Sequence, residues 1–448
     1  MLKKNDEIEI VINDLTVEGA GIGRYESLAV FVPLALPTER VKTKIIKLTK
    51  SYAIGKLIEI IEPSPHRITP FCGVFEACGG CTLQHLDYEQ QLAFKARHIK
   101  ECFKRIGGIE MDMPHVVRAD NTRDYRNKAS FPVATVDGKA QAGFFAPHSH
   151  RLVATDCPIQ KQPINDVKNS VIHWARDNGI APYNEDAHSG LLRHIVARQT
   201  SRGELMAGVV LCGWTDTKAL EEALIPIAQS IVVNKNEKKQ NAILGSQNRT
   251  VHGNEYITEY YDGLSFRAGL TSFLQVNHEQ SEKLYRIALE FAQITKDDTV
   301  FDLFCGIGTI SLLAARQAKA VLGIEYVEEA VNNAEENAQI NNIENAYFLA
   351  GDAGQMIDKG IERFGKPDIV ILDPPRKGCD APLIKKIVES APKRIVYVSC
   401  NPSTLARDAA LFQGYTVDKV TGVDMFPHTT HVETVVLMSR VKVLKNNK

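Results

Sequence analysis

The chain of 448 residues is 44% hydrophobic and 24% charged, and its 53 basic and 54 acidic residues leave a formal net charge of −1. That length exceeds one ordinary core and predicts two to four domains, while the balanced charge excludes a molecule that attracts nucleic acid with its whole surface. No apolar run reaches the roughly eighteen residues of a membrane span, and the N-terminus, Met-Leu-Lys-Lys-Asn-Asp-Glu, lacks the apolar stretch of a secretory signal, so the cytoplasm is the expected location.

Residues 1–62 read as short strands with apolar residues at every second position: Ile8–Ile12, Leu28–Val32 and Val41–Ile46. The turn Glu18-Gly19-Ala20-Gly21-Ile22-Gly23 separates the first two, and Glu62-Pro63-Ser64-Pro65-His66 ends the region. Period-two spacing with glycine turns predicts a small antiparallel barrel of the OB type. From Arg40 to Lys56 this segment carries Arg40, Lys42, Lys44, Lys47, Lys50 and Lys56 without an acidic residue. Such a stripe suits phosphates; the bland alternative is a solvated strand face.

The next segment, 63–270, is a mixed α+β region with a helix over Glu89–Arg105, a buried strand at Gly208–Leu211 and a polar loop over residues 234–240. It opens with Cys72, Cys78 and Cys81 in a Cys-x5-Cys-x2-Cys run loosened by Gly73, Gly79 and Gly80. Nine cysteines in a chain of this character argue against a disulfide framework and for metal or catalytic use. Three thiols need a fourth ligand, and sulfur alone suits zinc or an iron–sulfur cubane equally.

From residue 271 to 448 the pattern becomes regular. Helix (Glu279–Ile294), strand (Thr299–Phe304), helix (Thr309–Gln317), strand (Ala320–Glu325) and helix (Val327–Asn341) follow in order, and strands at Ala346–Ala350, Asp368–Asp373 and Arg394–Ser399 continue it. Val/Ile/Leu-rich strands alternating with helices predict a parallel, doubly wound Rossmann-like sheet. Phe304-Cys305-Gly306-Ile307-Gly308 is a strand-to-helix turn where glycine lets a ligand approach the backbone. A dinucleotide fingerprint would want a third glycine at position 311, where Ser311 stands. Glu325 ends the second strand, where a carboxylate can accept from two ribose hydroxyls, and Asp373-Pro374-Pro375 ends a later strand on the same edge. These positions suit the adenosine of S-adenosylmethionine.

Ser399-Cys400-Asn401-Pro402 places a cysteine at the mouth of that edge, and His431-Val432-Glu433-Thr434 places a carboxylate at the head of an apolar strand. A cysteine in a strand is most often inert core, and a strand-end glutamate often just faces water. Together they suit methylation of uracil, whose C5 is a poor nucleophile. Thiolate attack on C6 makes the ring an enolate, C5 then takes a methyl cation, and a carboxylate removes the C5 proton so that sulfur can leave.

Taken as a set, Phe304–Gly308, Asp373-Pro374-Pro375-Arg376-Lys377-Gly378, Ser399–Pro402 and His431–Thr434 closely resemble the RNA (uracil-5)-methyltransferase family. Ser272-Phe273-Leu274-Gln275-Val276-Asn277 and Asp124-Tyr125-Arg126-Asn127-Lys128 resemble two further motifs of that family, so the likeness covers nearly the whole chain. It implies that Gln275, Phe304, Glu325 and Asp373 bind S-adenosylmethionine, that Cys400 is the nucleophile and that Glu433 is the base. It also implies a TRAM domain over 1–62 and Cys157, in Thr155-Asp156-Cys157-Pro158, as fourth ligand with Cys72, Cys78 and Cys81 of a structural [4Fe–4S] cluster. Phenylalanine at 304, where relatives often have tyrosine, keeps the aromatic face.

The family's transfer-RNA branch generally lacks both the barrel and the cysteine run, so the resemblance implies 23S ribosomal RNA over transfer RNA, with a flipped uridine and a monomeric enzyme. Arg123, Arg126 and Lys128 are candidate backbone contacts. Two other readings compete. A methyltransferase for an exocyclic amine would want an aromatic residue where Arg376 stands and needs no cysteine. A non-catalytic iron–sulfur RNA-binding protein with a vestigial fold would not need Cys400 and Glu433.

Overall fold

A computed structural model describes residues 2–239 and 242–441. The end of the third expected segment, 442–448, lies outside the described residues. The chain divides into two compact units, one holding everything up to His98 with Phe144–Val153 and Phe426–His431, the other holding Ile99–Gly143, Ala154–Met425 and the chain from Val432.

In the first unit, strands Glu7–Leu15, Gly21–Tyr25, Leu28–Val32, Arg40–Leu48 and Tyr52–Glu62 close into a barrel. The alternation of Ile8, Ile10 and Ile12 with charged neighbours does the sorting: these three turn inward onto Val30, Val32, Val41, Ile45 and Ala53. The basic stripe is less free than its sequence suggests, because the neighbouring strands supply acids. Arg40 pairs with Glu9 at 2.7 Å and Glu62 at 3.2 Å, and Lys42 with Glu7 at 2.8 Å. These pairs are exposed and contribute little to stability, but they partly neutralise the start of the stripe.

One carboxylate ties the barrel to the segment that follows it. Glu39 is fully buried and accepts from the Leu36 amide at 2.8 Å, the Ser64 amide at 3.3 Å and the Arg67 guanidinium, whose NH2 group lies 2.9 Å away. Downstream, Gln91 Nε2 donates to the Leu83 and Leu86 carbonyls, and its Oε1 accepts from the His428 amide at 2.9 Å. Lys95, also fully buried, donates to the Phe426 carbonyl at 3.1 Å. Residues distant in sequence are thus fastened by single polar side chains.

The second unit contains two sheets that position the chemistry. In the first, Lys128–Val136 pairs antiparallel with Leu192–Gln199, which pairs antiparallel with Leu205–Leu211. Ser230–Lys235 joins in parallel and Gln247–His252 closes the run antiparallel. The expected loop over 234–240 therefore begins inside a strand at Asn234 and Lys235, and Gln240 lies outside the described residues. The Leu205–Leu211 strand is buried along its whole length, since helix Gln162–Asp177 covers the sheet.

The second sheet has eight strands in the order Ala346–Ala350, Ala320–Glu325, Thr299–Leu303, Ile369–Leu372, Arg394–Ser399, Glu433–Arg440, Tyr415–Val423, His115–Val117. The first five are parallel, as the alternating pattern predicts. Beyond them the sheet continues with antiparallel strands. Glu433–Arg440 runs antiparallel to Arg394–Ser399 and to Tyr415–Val423. A parallel neighbour would need a long crossover, whereas Tyr415–Val423 and Glu433–Arg440 need only a connecting loop.

Glu39 yields a first prediction. Burial pushes its carboxyl up, but the Arg67 side chain and the Leu36 and Ser64 amides bring it below the ordinary carboxylate range. A depressed folded value contributes stability above the unfolded pKa and loses it as pH falls. Glu39→Ala should cost about 3 kcal/mol in urea unfolding at pH 7, because it strands the Arg67 charge, and less near pH 3. Equal losses at both pH values would remove the ionic part of the account.

Candidate active site

The site forms where two strands of the eight-stranded sheet end and a third begins. Arg394–Ser399 carries the chain to Cys400, and Asn401 turns it into helix Pro402–Ala409 by accepting from the Ser403 amide at 3.1 Å. Asparagine caps the helix and proline starts it, so the strand cannot continue and Cys400 is left half-buried in the bend. Ser399 pairs with Thr434 in register, which sets Glu433, the first residue of the antiparallel strand, across from the Cys400 bend.

Arg376 reaches the same place from the Asp373–Gly378 loop. Its carbonyl accepts from Asn401 Nδ2 at 3.3 Å and Thr404 Oγ1 at 3.2 Å. Asp408, fully buried, holds the loop from below by accepting from the Cys379 amide at 2.8 Å and the Tyr397 hydroxyl at 2.7 Å. Gly378 turns with φ of +75°, and a Cβ there would lie 2.3 Å from the Asp408 carboxylate, so only glycine fits. Arg376 stands in the Asp373–Gly378 motif of the family resemblance, and its position directly after Asp-Pro-Pro is the signal that the sequence offers.

The electrostatics couple these groups. Burial raises the Cys400 thiol above its ordinary pKa, and the Glu433 and Asp373 charges raise it further. Arg376 opposes both through its charge and a hydrogen bond to the sulfur. Glu433, only 3% exposed, is pushed up to about 8 by burial and by Asp373, again with Arg376 opposing. Asp373 is pushed up to about 7 by burial and Asp302. Tyr285, on helix His278–Ala292, is buried close enough to feel Asp373, Glu433 and Asp302. Asp302 was legible as the one acid inside an apolar strand; Tyr285 had no distinguishing signal.

At the nucleotide end, Glu325 accepts from the Gly306 amide at 3.1 Å and the Val327 amide at 2.9 Å. Phe304 adopts φ of +73° with its amide bonded to the Ile324 carbonyl at 2.8 Å, so the strand bends sharply before the glycines. Gly306 also has positive φ, and a Cβ there would touch nothing within 4 Å, which leaves open space beside the Glu325 carboxylate. Asp302 keeps one oxygen on Ser311 Oγ at 2.5 Å, and the other has no partner. The Glu325 charge helps to raise the Asp302 carboxyl, and Asp302 in turn raises Asp373. Gln275 is buried, and its carbonyl accepts from Asn127 Nδ2 at 3.3 Å. An open glycine turn, a fixed carboxylate and an unpartnered buried oxygen fit a polar adenosine-type ligand.

The cysteine run looks different. Cys72, Cys78 and Cys81 are half-buried in the first unit. Burial raises the Cys78 thiol, the Gly80 amide at 3.4 Å opposes this, and Cys72 is near enough to raise it further. Cys157, in the second unit, is framed by Asn165, which accepts from its amide at 3.0 Å and donates to its carbonyl at 3.1 Å. Among the described residues, no group of three or more His, Cys, Asp or Glu side chains is placed to hold a metal ion. The expected four-thiol set matches a [4Fe–4S] cluster in donor chemistry. Nor is any described helix long and apolar enough to cross a membrane.

A parallel sheet with a glycine turn, a fixed acid and a cysteine–glutamate edge defines a methyltransferase-type domain. The family model described as tRNA (Uracil-5-)-methyltransferase matches residues 87–441, and the TRAM domain model matches residues 2–58. The chain is 42% identical over 447 residues to an uncharacterised RNA methyltransferase of Halalkalibacterium halodurans, covering 98% of each. It is likewise 42% identical over 454 residues to one of Clostridium acetobutylicum, again covering 98% of each. Among solved structures it is similar to the Pyrococcus abyssi tRNA (uracil-54, C5)-methyltransferase in complex with S-adenosyl-L-homocysteine. The TM-score is 0.79 and the identity 27%, covering 96% of this chain and 100% of that one. The chain belongs to the tRNA (uracil-5-)-methyltransferase family, with an N-terminal TRAM domain, as its motifs imply.

The reactivity of Cys400 supplies the second prediction. Alkylation by iodoacetamide, followed on the Cys400 peptide by mass spectrometry, should accelerate with pH as thiolate forms. Arg376→Ala removes the group that lowers the thiol pKa, so the rise should move to higher pH. An unmoved profile would show that the guanidinium does not act on the sulfur.

Proposed function

We propose that this protein methylates carbon 5 of a uridine in structured RNA through a covalent Cys400 adduct, and that the RNA is 23S ribosomal RNA. The observation that carries the reading is the juxtaposition of Cys400, Arg376 and Glu433: the Glu433 charge raises the Cys400 thiol, and Arg376 lowers both groups. Gln275, Phe304, Glu325 and Asp373 would hold S-adenosylmethionine, which supplies an electrophilic methyl group when bound. The open turn at Gly306 and the fixed Glu325 carboxylate support that assignment.

Arg376 offsets the burial of the thiol and so favours the thiolate. Cys400 Sγ bonds to uracil C6, and the electron pair displaced from the ring double bond makes C5 nucleophilic. After methyl transfer Glu433 takes the C5 proton. The C5–C6 double bond re-forms and the bond from Cys400 Sγ to C6 breaks. A carboxyl pushed up to about 8 suits this step, because the buried site favours the neutral acid that forms.

The cysteine set Cys72, Cys78, Cys81 and Cys157 would hold a [4Fe–4S] cluster in a structural role, supported by the spacing of the run and the family resemblance. No step of the reaction is routed through it. In this reading the enzyme acts as a monomer in the cytoplasm. Iron and acid-labile sulfide analysis of anaerobically purified protein should give four of each per chain, and zinc in their place would overturn the assignment.

A second reading, transfer RNA, is favoured by one observation. The Pyrococcus abyssi tRNA enzyme matches 96% of this chain. So complete a match includes the barrel, and the barrel therefore does not by itself point away from transfer RNA.

Methylation of unmodified 23S rRNA and tRNA transcripts, with products mapped by mass spectrometry, tests both. The expected product is 5-methyluridine in the ribosomal RNA, lost with Cys400→Ala. Glu433→Gln should slow product release by about 100-fold or more while a protein–RNA adduct accumulates. Product in tRNA alone would keep the chemistry and replace the substrate. No 5-methyluridine in either would overturn the reading.

A further inference from the structure

Lys128 begins a strand of the mixed sheet directly opposite Arg198, so two like charges face each other across an antiparallel pair. Such a pair is destabilising, and more so when it is buried. Arg198 is 4% exposed and Lys128 is half-buried. Arg198 is anchored: its guanidinium donates to the Ser272 carbonyl at 2.5 Å and the Gly269 carbonyl at 3.5 Å. Arg126 is anchored too, through Nε to the Lys128 carbonyl at 3.2 Å. Lys128 differs from both, for among the described residues nothing accepts from its Nζ and no carboxylate pairs with it. Burial, then Arg198, then Arg126 push its ammonium down to about 7, and no acid pulls it back.

The neighbourhood is tied by hydrogen bonds to the turn at Ser272–Val276. Asn127, next to Lys128, donates from its amide to the Val276 carbonyl at 2.7 Å and from its side chain to the Gln275 carbonyl. Arg198 holds the start of the same turn at Ser272. On that turn Phe273 is 68% exposed, a large ring left in water. A half-buried cation without a counter-ion, backed by two fixed arginines, is built to receive an anion that arrives from outside.

We propose that Lys128, supported by Arg126 and Arg198, forms a binding site for a phosphodiester group of the RNA strand that carries the target uridine. The identity of the anion rests on the RNA-methylating function proposed above. A diester is permanently charged, so its arrival supplies the missing counter-ion and restores the ammonium form. The other oxyanion at hand is the carboxylate of S-adenosylmethionine, and the measurement below separates the two.

The test uses the full-length protein and its Lys128→Met and Lys128→Arg variants. Filter binding to unmodified 23S rRNA and tRNA transcripts is measured across a potassium chloride series, beside the KM for S-adenosylmethionine and the melting temperature without RNA. Lys128→Met should weaken RNA binding about tenfold and reduce the slope of log affinity against log salt by about one. Its KM for S-adenosylmethionine should stay put, and its melting temperature should rise because an opposed charge is gone. Lys128→Arg should keep the affinity and the slope. Unchanged RNA affinity with a raised cofactor KM would assign the lysine to the cofactor and overturn the proposal. Loss of affinity together with a lowered melting temperature would make it a structural lysine and overturn it equally. If the wild-type protein made no 5-methyluridine, the parent reading would fail, while the salt slopes would still report on Lys128.

Discussion

The antiparallel pairing of Glu433–Arg440 with Arg394–Ser399 is the constraint from which the site follows. In a wholly parallel sheet every strand would bring its C-terminal end to the ligand edge, and a strand's first residue would lie at the far side. Reversing one strand places its first residue at that edge, so Glu433 meets the bend at Cys400. The register Ser399↔Thr434 fixes which way the carboxylate points, because a slip of one residue would send it to the opposite face. Burial on both sides of that strand makes the register strongly specified, since Val435, Val436, Leu437 and Met438 are all core residues.

Around that edge the protein concentrates acids it does not neutralise in full. Asp302, Asp373 and Glu433 are each pushed up by burial, and Asp373 adds to Glu433 as Asp302 adds to Asp373. Arg376 is the cation that acts on Cys400 and Glu433 alike. Groups held near neutrality in this way can give or take protons at small cost. The same economy of counter-ions recurs at Lys128, with the sign reversed.

The parallel half of the sheet was readable because its strands are short apolar runs between helices of clear period, as at Val300–Leu303 and Ala320–Glu325. Cys400 and Glu433 were readable as residue types out of place at strand ends. Tyr285 was not, since a tyrosine on an amphipathic helix is ordinary until the fold brings it near carboxylates. The basic stripe is likewise less free at its start than its sequence suggests. Its sequence contains no acid, yet Glu7, Glu9 and Glu62 reach it from adjoining strands. The mixed sheet was hardest to read, because Leu205–Leu211 is apolar on both faces and has no alternation to reveal it.

The make-up of the first unit bears on how the molecule is made. Its barrel uses only neighbouring segments and can close while synthesis continues. The segment beyond it cannot finish so early, for Thr82, Leu83 and Gln91 bond to His428, and the Gln91 contact spans 337 positions. Ribosomes extend the chain at about 5–20 residues per second, so this part of the N-terminal unit waits tens of seconds for its last strap. The region translated first is therefore completed among the last. During that interval the amides of Thr82 and Leu83 and the side chain of Gln91 lack the His428 partner that they hold in the finished fold.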